Sequence, residues 1–327
     1  MQAFEYSRPT TREAAVKLLA AEWGQTEVLA GGTDLISAMK DRATTPRRVV
    51  SLQHVRGLEV FSFSPGAGLR LGAMVTIQEL LDKPAAREHY PALVQAAEGV
   101  SSQQIRALGT VGGDLLQRPR CWYFRAGYGL VAQSNGKSLA RDGDNRYHAI
   151  FGNSGAACFV CPSSLAPILV ALGARAQLFG PHGARELAVE KLFDTPNSDS
   201  EREHTLHPNE ILTEITVPYH RQAKTAVYEV RQKEALDWPL AAAAVVLHGS
   251  SGTVESARVV LGHVAPIPWP APEAEQALAG KTVNEQVADE AGKASVANAT
   301  PLSRNRYKVQ LTRIAVKRAI LRAQEGA

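Results

Sequence analysis

The sequence predicts an α+β protein built in two parts. Three observations carry this reading. Residues 1–218 alternate short apolar strands with capped helices. The last third groups its strands ahead of its helices, the order of an α+β unit. Within the first part lie two glycine-pair loops, Leu29-Ala30-Gly31-Gly32-Thr33-Asp34-Leu35 and Gly109-Thr110-Val111-Gly112-Gly113-Asp114-Leu115-Leu116-Gln117.

The elements follow in order. Thr10 and Glu13 have the spacing of a capping box, and Ala14, Ala15, Leu18 and Leu19 continue it with helical periodicity. Residues 27–30 predict a strand running into the first glycine pair, and 34–40 a short helix leaving it. Residues 48–52 and 69–73 predict strands, and Thr76 to Glu79 caps the next helix. An apolar helix is expected over 91–99, and 101–106 delivers the second glycine loop. Residues 118–157 carry many Gly, Asn, Asp and Arg with little periodicity and predict a long ordered loop, a feature that is often functional. A helix over 164–174, a strand over 176–179, a turn at Pro181-His182-Gly183 and an alternating strand over 211–218 complete the first part. The boundary is placed just after that strand, giving parts 1–222 and 223–327. The second part predicts strands near 226–231, 241–248 and 256–262, then helices near 271–279, 285–298 and 303–322.

Composition excludes several function classes. A 327-residue chain with 45% hydrophobic and 21% charged residues has the balance of an ordinary globular protein. A net charge of +4, with the basic residues scattered, gives no case for nucleic acid. No apolar run reaches the length of a membrane span, and Met1 to Tyr6 lacks a basic region followed by an apolar one. Three cysteines, Cys121, Cys158 and Cys161, fit a reducing compartment and argue against a disulfide framework. The expectation is a cytoplasmic protein, with export alongside a partner chain left open.

The glycine loops carry the chemistry. Glycine admits positive φ and close approach, and successive amides in such a turn form a nest for anions. Two loops brought together would hold a diphosphate from both sides, and a dinucleotide is the natural candidate. Neither matches G-x-G-x-x-G. Thr33 and Thr110 offer hydroxyls to phosphate oxygens. Asp34 and Asp114 would repel a phosphate, so they cap turns or accept from sugar hydroxyls.

The two loops resemble the FAD-binding motifs of the flavoprotein subunit of molybdenum hydroxylases, the family of xanthine dehydrogenase and carbon monoxide dehydrogenase. The resemblance continues through Asn209 to Ile215, Tyr228 to Ala244, Val260 to Pro268 and Asn305 to Val309. It implies the two-subdomain FAD fold of the vanillyl-alcohol-oxidase or cresol-methylhydroxylase type, followed by a C-terminal α+β domain. It implies FAD held at Val28, Leu29, Ala30, Gly31, Gly32, Thr33 and Asp34 on one side and Thr110, Gly113, Asp114 and Leu115 on the other, with the flavin ring toward the C-terminal domain. It implies electron transfer without a catalytic residue in this chain. The partners would be a molybdenum-cofactor large subunit and a [2Fe–2S] small subunit, and the organic substrate and final acceptor are not legible. Three positions depart from the family pattern: Asp114 where Asn is usual, Ser164 where Asp is usual, and Val230 where Lys is frequent. They keep open an FAD-free assembly subunit, beside a self-sufficient FAD oxidoreductase.

Gln117 to Arg125 resembles the branch of aldehyde oxidoreductase and 4-hydroxybenzoyl-CoA reductase flavoprotein subunits, in which an inserted loop holds a [4Fe–4S] cluster on four cysteines. Cys121 and Cys158 stand at the first and last of those positions, and the two middle cysteines are missing. The expectation is a loop that keeps its course without a cluster, steadied by hydrogen bonds within 141–146. Cys158-x-x-Cys161 has metal-like spacing, but both read as buried apolar residues. Ser163 and Ser164 have no His–Asp partner for nucleophilic work. Arg231 or Lys233 would supply charge to a reduced flavin, and Trp238 lies beside the ring or packs. His204-x-x-His207 reads as a solvated polar loop, and no metal is expected.

Overall fold

The structure is a computed structural model that describes residues 1–100, 102–233, 236–250 and 252–326. Its elements run β1 (Glu5–Ser7), α1 (Arg12–Leu18), β2 (Thr26–Leu29), α2 (Leu35–Lys40), β3 (Arg48–Ser51), β4 (Phe61–Ser64), β5 (Gly68–Gly72), α3 (Ile77–Asp82), α4 (Pro84–His89), α5 (Pro91–Glu98), α6 (Gln103–Leu108), α7 (Val111–Leu116), α8 (Trp122–Arg125), β6 (Gln133–Ser134), β7 (Lys137–Ser138), α9 (Leu139–Asp142), α10 (Ala166–Ala171), β8 (Arg175–Gly180), β9 (Gly183–Ala188), β10 (Ile211–Val217), β11 (Lys224–Arg231), β12 (Pro239–Ser250), β13 (Thr253–Gly262), β14 (Trp269–Pro270), α11 (Pro272–Leu278), α12 (Glu285–Ala294) and α13 (Tyr307–Glu325).

Three larger sheets and the two-stranded β6-β7 pair organise the described residues. β1-β3-β2 is parallel. β4-β5-β10-β8-β9 is antiparallel, with β10 at its centre. β11-β12-β13-β14 is an antiparallel meander. The five-stranded sheet packs Leu69, Leu71, Leu178 and Ile215 against Leu80, Leu93, Ile168 and Leu169 of its helices. β12 is buried on both faces. Ala243, Val245 and Leu247 face Ala315, Val316 and Ala319 of α13, whereas Ala244 and Val246 join the core of the first part. A strand covered on both sides reads as an unbroken apolar run, which is what 241–247 is.

Local chemistry sets the boundaries. Thr76 and Glu79 form the predicted capping box on α3. α1 starts one residue later than predicted: Thr11, not Thr10, accepts the Ala14 N–H at 3.1 Å, and Glu13 pairs with Arg12. α12 stops at Ala294, α10 covers only Ala166–Ala171, and the last helix begins at Tyr307 and reaches Glu325. The turn at 181–183 leads into a full strand, β9. That edge strand carries Arg185 and Glu186 and has little burial, so it lacks the alternation that marks a half-buried strand.

The 118–157 stretch is ordered around a small apolar core of Phe124, Leu130, Ala157 and Phe159, with Cys121 against it. Its hydrogen bonds are not all internal, as 141–146 suggested. Asn145 Nδ2 donates to the Ala140 carbonyl at 3.0 Å and to Ser303 Oγ at 2.9 Å, and its Oδ1 accepts the Arg304 N–H at 2.8 Å. Ile150 and Phe151 donate to the Val264 carbonyl. The stretch is therefore stapled to the C-terminal part.

Candidate cofactor site

The two glycine loops meet. β2 ends at Leu29 and releases the chain into Gly31 and Gly32, and α6 delivers Leu108 and Gly109 against them. A Cβ added at Gly31 would lie 1.7 Å from the Leu108 carbonyl oxygen, so only glycine permits this contact. Gly32 has φ +77°, the left-handed conformation that glycine alone adopts freely.

The loops differ in what they offer. In the first, the N–H groups of Gly31, Gly32 and Thr33 have no acceptor among the described residues. In the second, Val111 N–H goes to the Val75 carbonyl, Gly112 N–H to Ala73, Asp114 N–H to Thr110 and Gly113 N–H to Thr110 Oγ1. The second loop is thus a capped helix start pressed onto β5. Gly112 is glycine because a Cβ would come within 2.8 Å of Ala73. Free donors come from the first loop, and the second supplies a packed wall.

Both loops line one cleft of about 1300 Å³, its open mouth included. Its apolar lining includes Val28, Leu52, Met74, Leu116, Ile211 and Leu212. Its polar lining includes Thr33, Gln117, Arg118, Arg202 and Glu203. Glu203 accepts from Arg118, yet its Oε2 is buried without a partner. Glu27, also on the wall, has its carboxyl raised by burial, against Arg118 and the Thr44 hydroxyl.

The chain matches two family models in sequence order. Residues 2–220 match the FAD binding domain in molybdopterin dehydrogenase, and residues 226–323 match the CO dehydrogenase flavoprotein C-terminal domain. The chain belongs to this family of FAD-binding subunits. It is 28% identical to the aldehyde oxidoreductase FAD-binding subunit PaoB of Escherichia coli K12 over all of both chains. It is 29% identical to the carbon monoxide dehydrogenase medium chain of Afipia carboxidovorans, over 99% of this chain and 98% of the relative. A solved Cu,Mo-CO dehydrogenase chain superposes with a TM-score of 0.78 at 26% identity, over 100% of this chain and 99% of that one. The cofactor of the family is FAD, and the chain is an FAD-binding subunit of the molybdenum hydroxylase type.

The residues present fit that cofactor. A cleft with unpaired amides at one loop, apolar side chains for a flat ring and an orphaned buried carboxylate oxygen that suits a sugar hydroxyl offers the donor and acceptor set a flavin dinucleotide requires. Of the positions singled out in the sequence, Val28, Ala30, Gly31, Gly32, Thr33, Asp34, Thr110 and Gly113 line the cleft. Leu29, Asp114 and Leu115 do not. Asp114 is buried behind the second loop, where its carboxylate accepts from Ser163 Oγ, from the Leu165 N–H at 3.0 Å and from Gln117 Nε2 at 3.0 Å. Burial raises its pKa against those donors. Asp34 is held by Arg120 at 2.8 Å, Arg125 at 2.7 Å and the Arg118 N–H at 2.7 Å. Both aspartates therefore cap protein groups.

The sequence reading missed Trp23, Arg118, Arg202, Glu203 and His204, all on the cleft wall. His204 is not solvated. It is half-buried, its Nε2 lies 3.1 Å from the Leu115 carbonyl, and burial lowers its pKa. No periodicity marks 202–206, so only the fold brings it there. Arg231 is paired with Glu229 and donates to the Gly99 carbonyl, so its charge is already engaged. Trp238 is 42% exposed beneath the Arg120 guanidinium, 4.7 Å away. The three cysteines are free thiols, and no group of three or more His, Cys, Asp or Glu side chains converges for a metal among the described residues. Nor is any described helix long and apolar enough to cross a membrane.

Proposed function

We propose that this chain is the electron-transfer flavoprotein of a three-part assembly. A large subunit with a molybdenum cofactor oxidises the organic substrate, a small subunit with two [2Fe–2S] clusters relays the electrons, and FAD on this chain receives them and passes them to an acceptor. When bound, FAD supplies the exchange between one- and two-electron steps. The protein's work is to bind and orient it. The amides of Gly31, Gly32 and Thr33 and the hydroxyls of Thr33 and Thr110 would face the diphosphate. Val28, Leu52, Met74, Ile211 and Leu212 would enclose one flat ring. Ala30, Asp34, Gly113, Asp114, Leu29 and Leu115 would set the shape of the two loops. No side chain here takes a catalytic role, and no cluster is assigned to 118–157.

The observation that carries this reading is the meeting of the two loops at Gly31 and Leu108 over a single cleft. The same reading divides the chain at 222/223 into a cofactor part and a C-terminal part. It places the assembly in the cytoplasm, where free thiols persist. The test is to purify the chain with its chromosomal neighbours. The expected result is stoichiometric FAD on this chain, bleached by substrate only when the other two subunits are present. A chain that oxidises substrate alone, or that assembles without FAD, would overturn it.

A further inference from the structure

A second chamber lies on the far side of Arg120 from the cofactor cleft, about 830 Å³ with its mouth included. The inserted stretch forms one side through Trp122, Tyr147 and His148. The C-terminal part forms the other through Trp238, His263 and Lys308. Arg120 connects the two sites, because it lines this chamber while pairing with Asp34 of the first glycine loop.

The chamber floor is polar: burial takes the Lys308 amine down to about 7, and two histidine rings each keep a nitrogen with no partner among the described residues. Lys308 is 1% exposed and donates to the carbonyls of His263 at 2.7 Å, His148 at 3.2 Å and Tyr147 at 3.3 Å, with no carboxylate partner among the described residues. His148 and His263 are each 3% exposed, and each has a ring nitrogen, Nδ1 and Nε2 respectively, with no hydrogen-bond partner. His148 has one ring nitrogen against a neighbouring side chain. Burial keeps the Cys121 thiol protonated and the imidazole neutral, and Sγ sits 3.2 Å from Nε2. The thiol and Nε2 share that one contact, which leaves Nδ1 as a buried polar atom that is costly to keep unpaired. The walls are aromatic: Trp122 and Tyr147 meet edge to face at 5.5 Å, and Trp238 lies open to the mouth. The carboxylate in the lining, Asp237, already accepts from the Lys233 and Trp238 N–H groups.

We propose that this chamber binds a small planar aromatic molecule carrying carbonyl or carboxylate oxygens, the class to which quinone-type electron acceptors belong. The aromatic walls take the ring, and His148 Nδ1, His263 Nε2 and Arg120 Nε, buried without a hydrogen-bond partner among the described residues, are the polar atoms that would meet its oxygens. The role as acceptor rests on the electron-transfer reading above; the binding does not.

The test is calorimetric titration of the FAD-loaded chain with 1,4-naphthoquinone-2-sulfonate, 2-naphthoate and the cationic 2-naphthylmethylammonium. One-to-one binding of the two anions is expected, with the cation at least ten-fold weaker. Trp238→Ala, at an exposed position, should weaken the anions about five-fold or more, and His148→Phe more still. Equal binding of the cation, no binding of either anion, or an unchanged Kd in Trp238→Ala would overturn the proposal. So would anion binding to FAD-stripped protein that FAD abolishes by competition, because the chamber would then belong to the cofactor. A chain that takes no FAD but binds the anions would sink the electron-transfer reading and leave this site standing.

Discussion

Gly31→Ala is the sharpest probe of the cofactor cleft. The added methyl would sit 1.7 Å from the Leu108 carbonyl oxygen and 2.6 Å from its carbon, both backbone atoms at the end of α6. To reach even a 3.0 Å approach the two loops must part by about 1.3 Å, a backbone displacement of the kind that costs roughly 1–3 kcal/mol in a packed region. The loops form one rim of the cleft, so that separation falls on the ligand. If half of it is felt by FAD, affinity drops by about two- to twelve-fold. Gly24→Ala is the control. Gly24 also has positive φ, +84°, but an added Cβ would meet nothing within 4 Å and the site is off the cleft. It should cost about 1–2 kcal/mol of stability and leave FAD binding unchanged. The assays are fluorescence titration of FAD into stripped protein and thermal melting of both variants. A folded Gly31→Ala protein with wild-type FAD affinity would refute the idea that this contact shapes the site.

Asp34→Ala should lower stability by about 2–4 kcal/mol, because two largely buried arginines and the Arg118 N–H lose a common partner; urea melts read this, and an unchanged midpoint would show that Asp34 is no staple. Thr110→Val keeps the shape but strips the Gly113 N–H of its acceptor, for a loss of about 1–2 kcal/mol in Tm-derived stability that Thr110→Ser restores. Acid should destabilise the fold early. Burial depresses His148 to about 4 and His263 to about 3, so the unfolded chain takes up those protons first. Their contribution is complete above pH 6.5 and is lost as pH falls toward 4, at about 1.4 kcal/mol per pH unit for each histidine. Urea titrations at stepped pH should show His148→Gln flattening that slope by about one proton, and an identical slope would count against a neutral buried imidazole.

Where the sequence signal was a period or a cap, it located elements well. The Thr76–Glu79 box and the apolar run of β12 are seen where they were expected. The failures have physical causes. α6 and α7 are six residues each, too short for periodicity to show, and α7 contains both Gly112 and Gly113. The two glycine pairs look alike in sequence yet do different work. Of the four glycines in these pairs only Gly32 has positive φ; Gly31 and Gly112 are small because backbone or Ala73 lies against them. A glycine needed for close packing and one needed for its dihedral are the same letter. The cleft wall from Arg202 to His204 has no local signature, since its place is fixed by the Phe193–His204 bridge, the Asp194 N–H on the Glu203 carbonyl and the Arg118–Glu203 pair.

The inserted stretch connects these results. One end grips the first glycine loop, through Arg118, Arg120 and Arg125 on Asp34. The other end is held by the C-terminal part, through Asn145 on Ser303, Asn305 on the His148 and Ala149 carbonyls, and Lys308. Its middle is organised by four apolar side chains around Cys121, whose thiol has a histidine partner instead of a metal. Such a segment needs no cluster to keep its course, because directional bonds at both ends and a small core between them fix it. It also makes the two parts of the chain answer to each other. A change at Asp34 should be felt at Trp238, which lies under the Arg120 that Asp34 holds. The Trp238 emission in Asp34→Ala, read against Trp238→Phe to isolate it, is the direct measure of that coupling. If the emission is unshifted, the two cavities are neighbours without being linked.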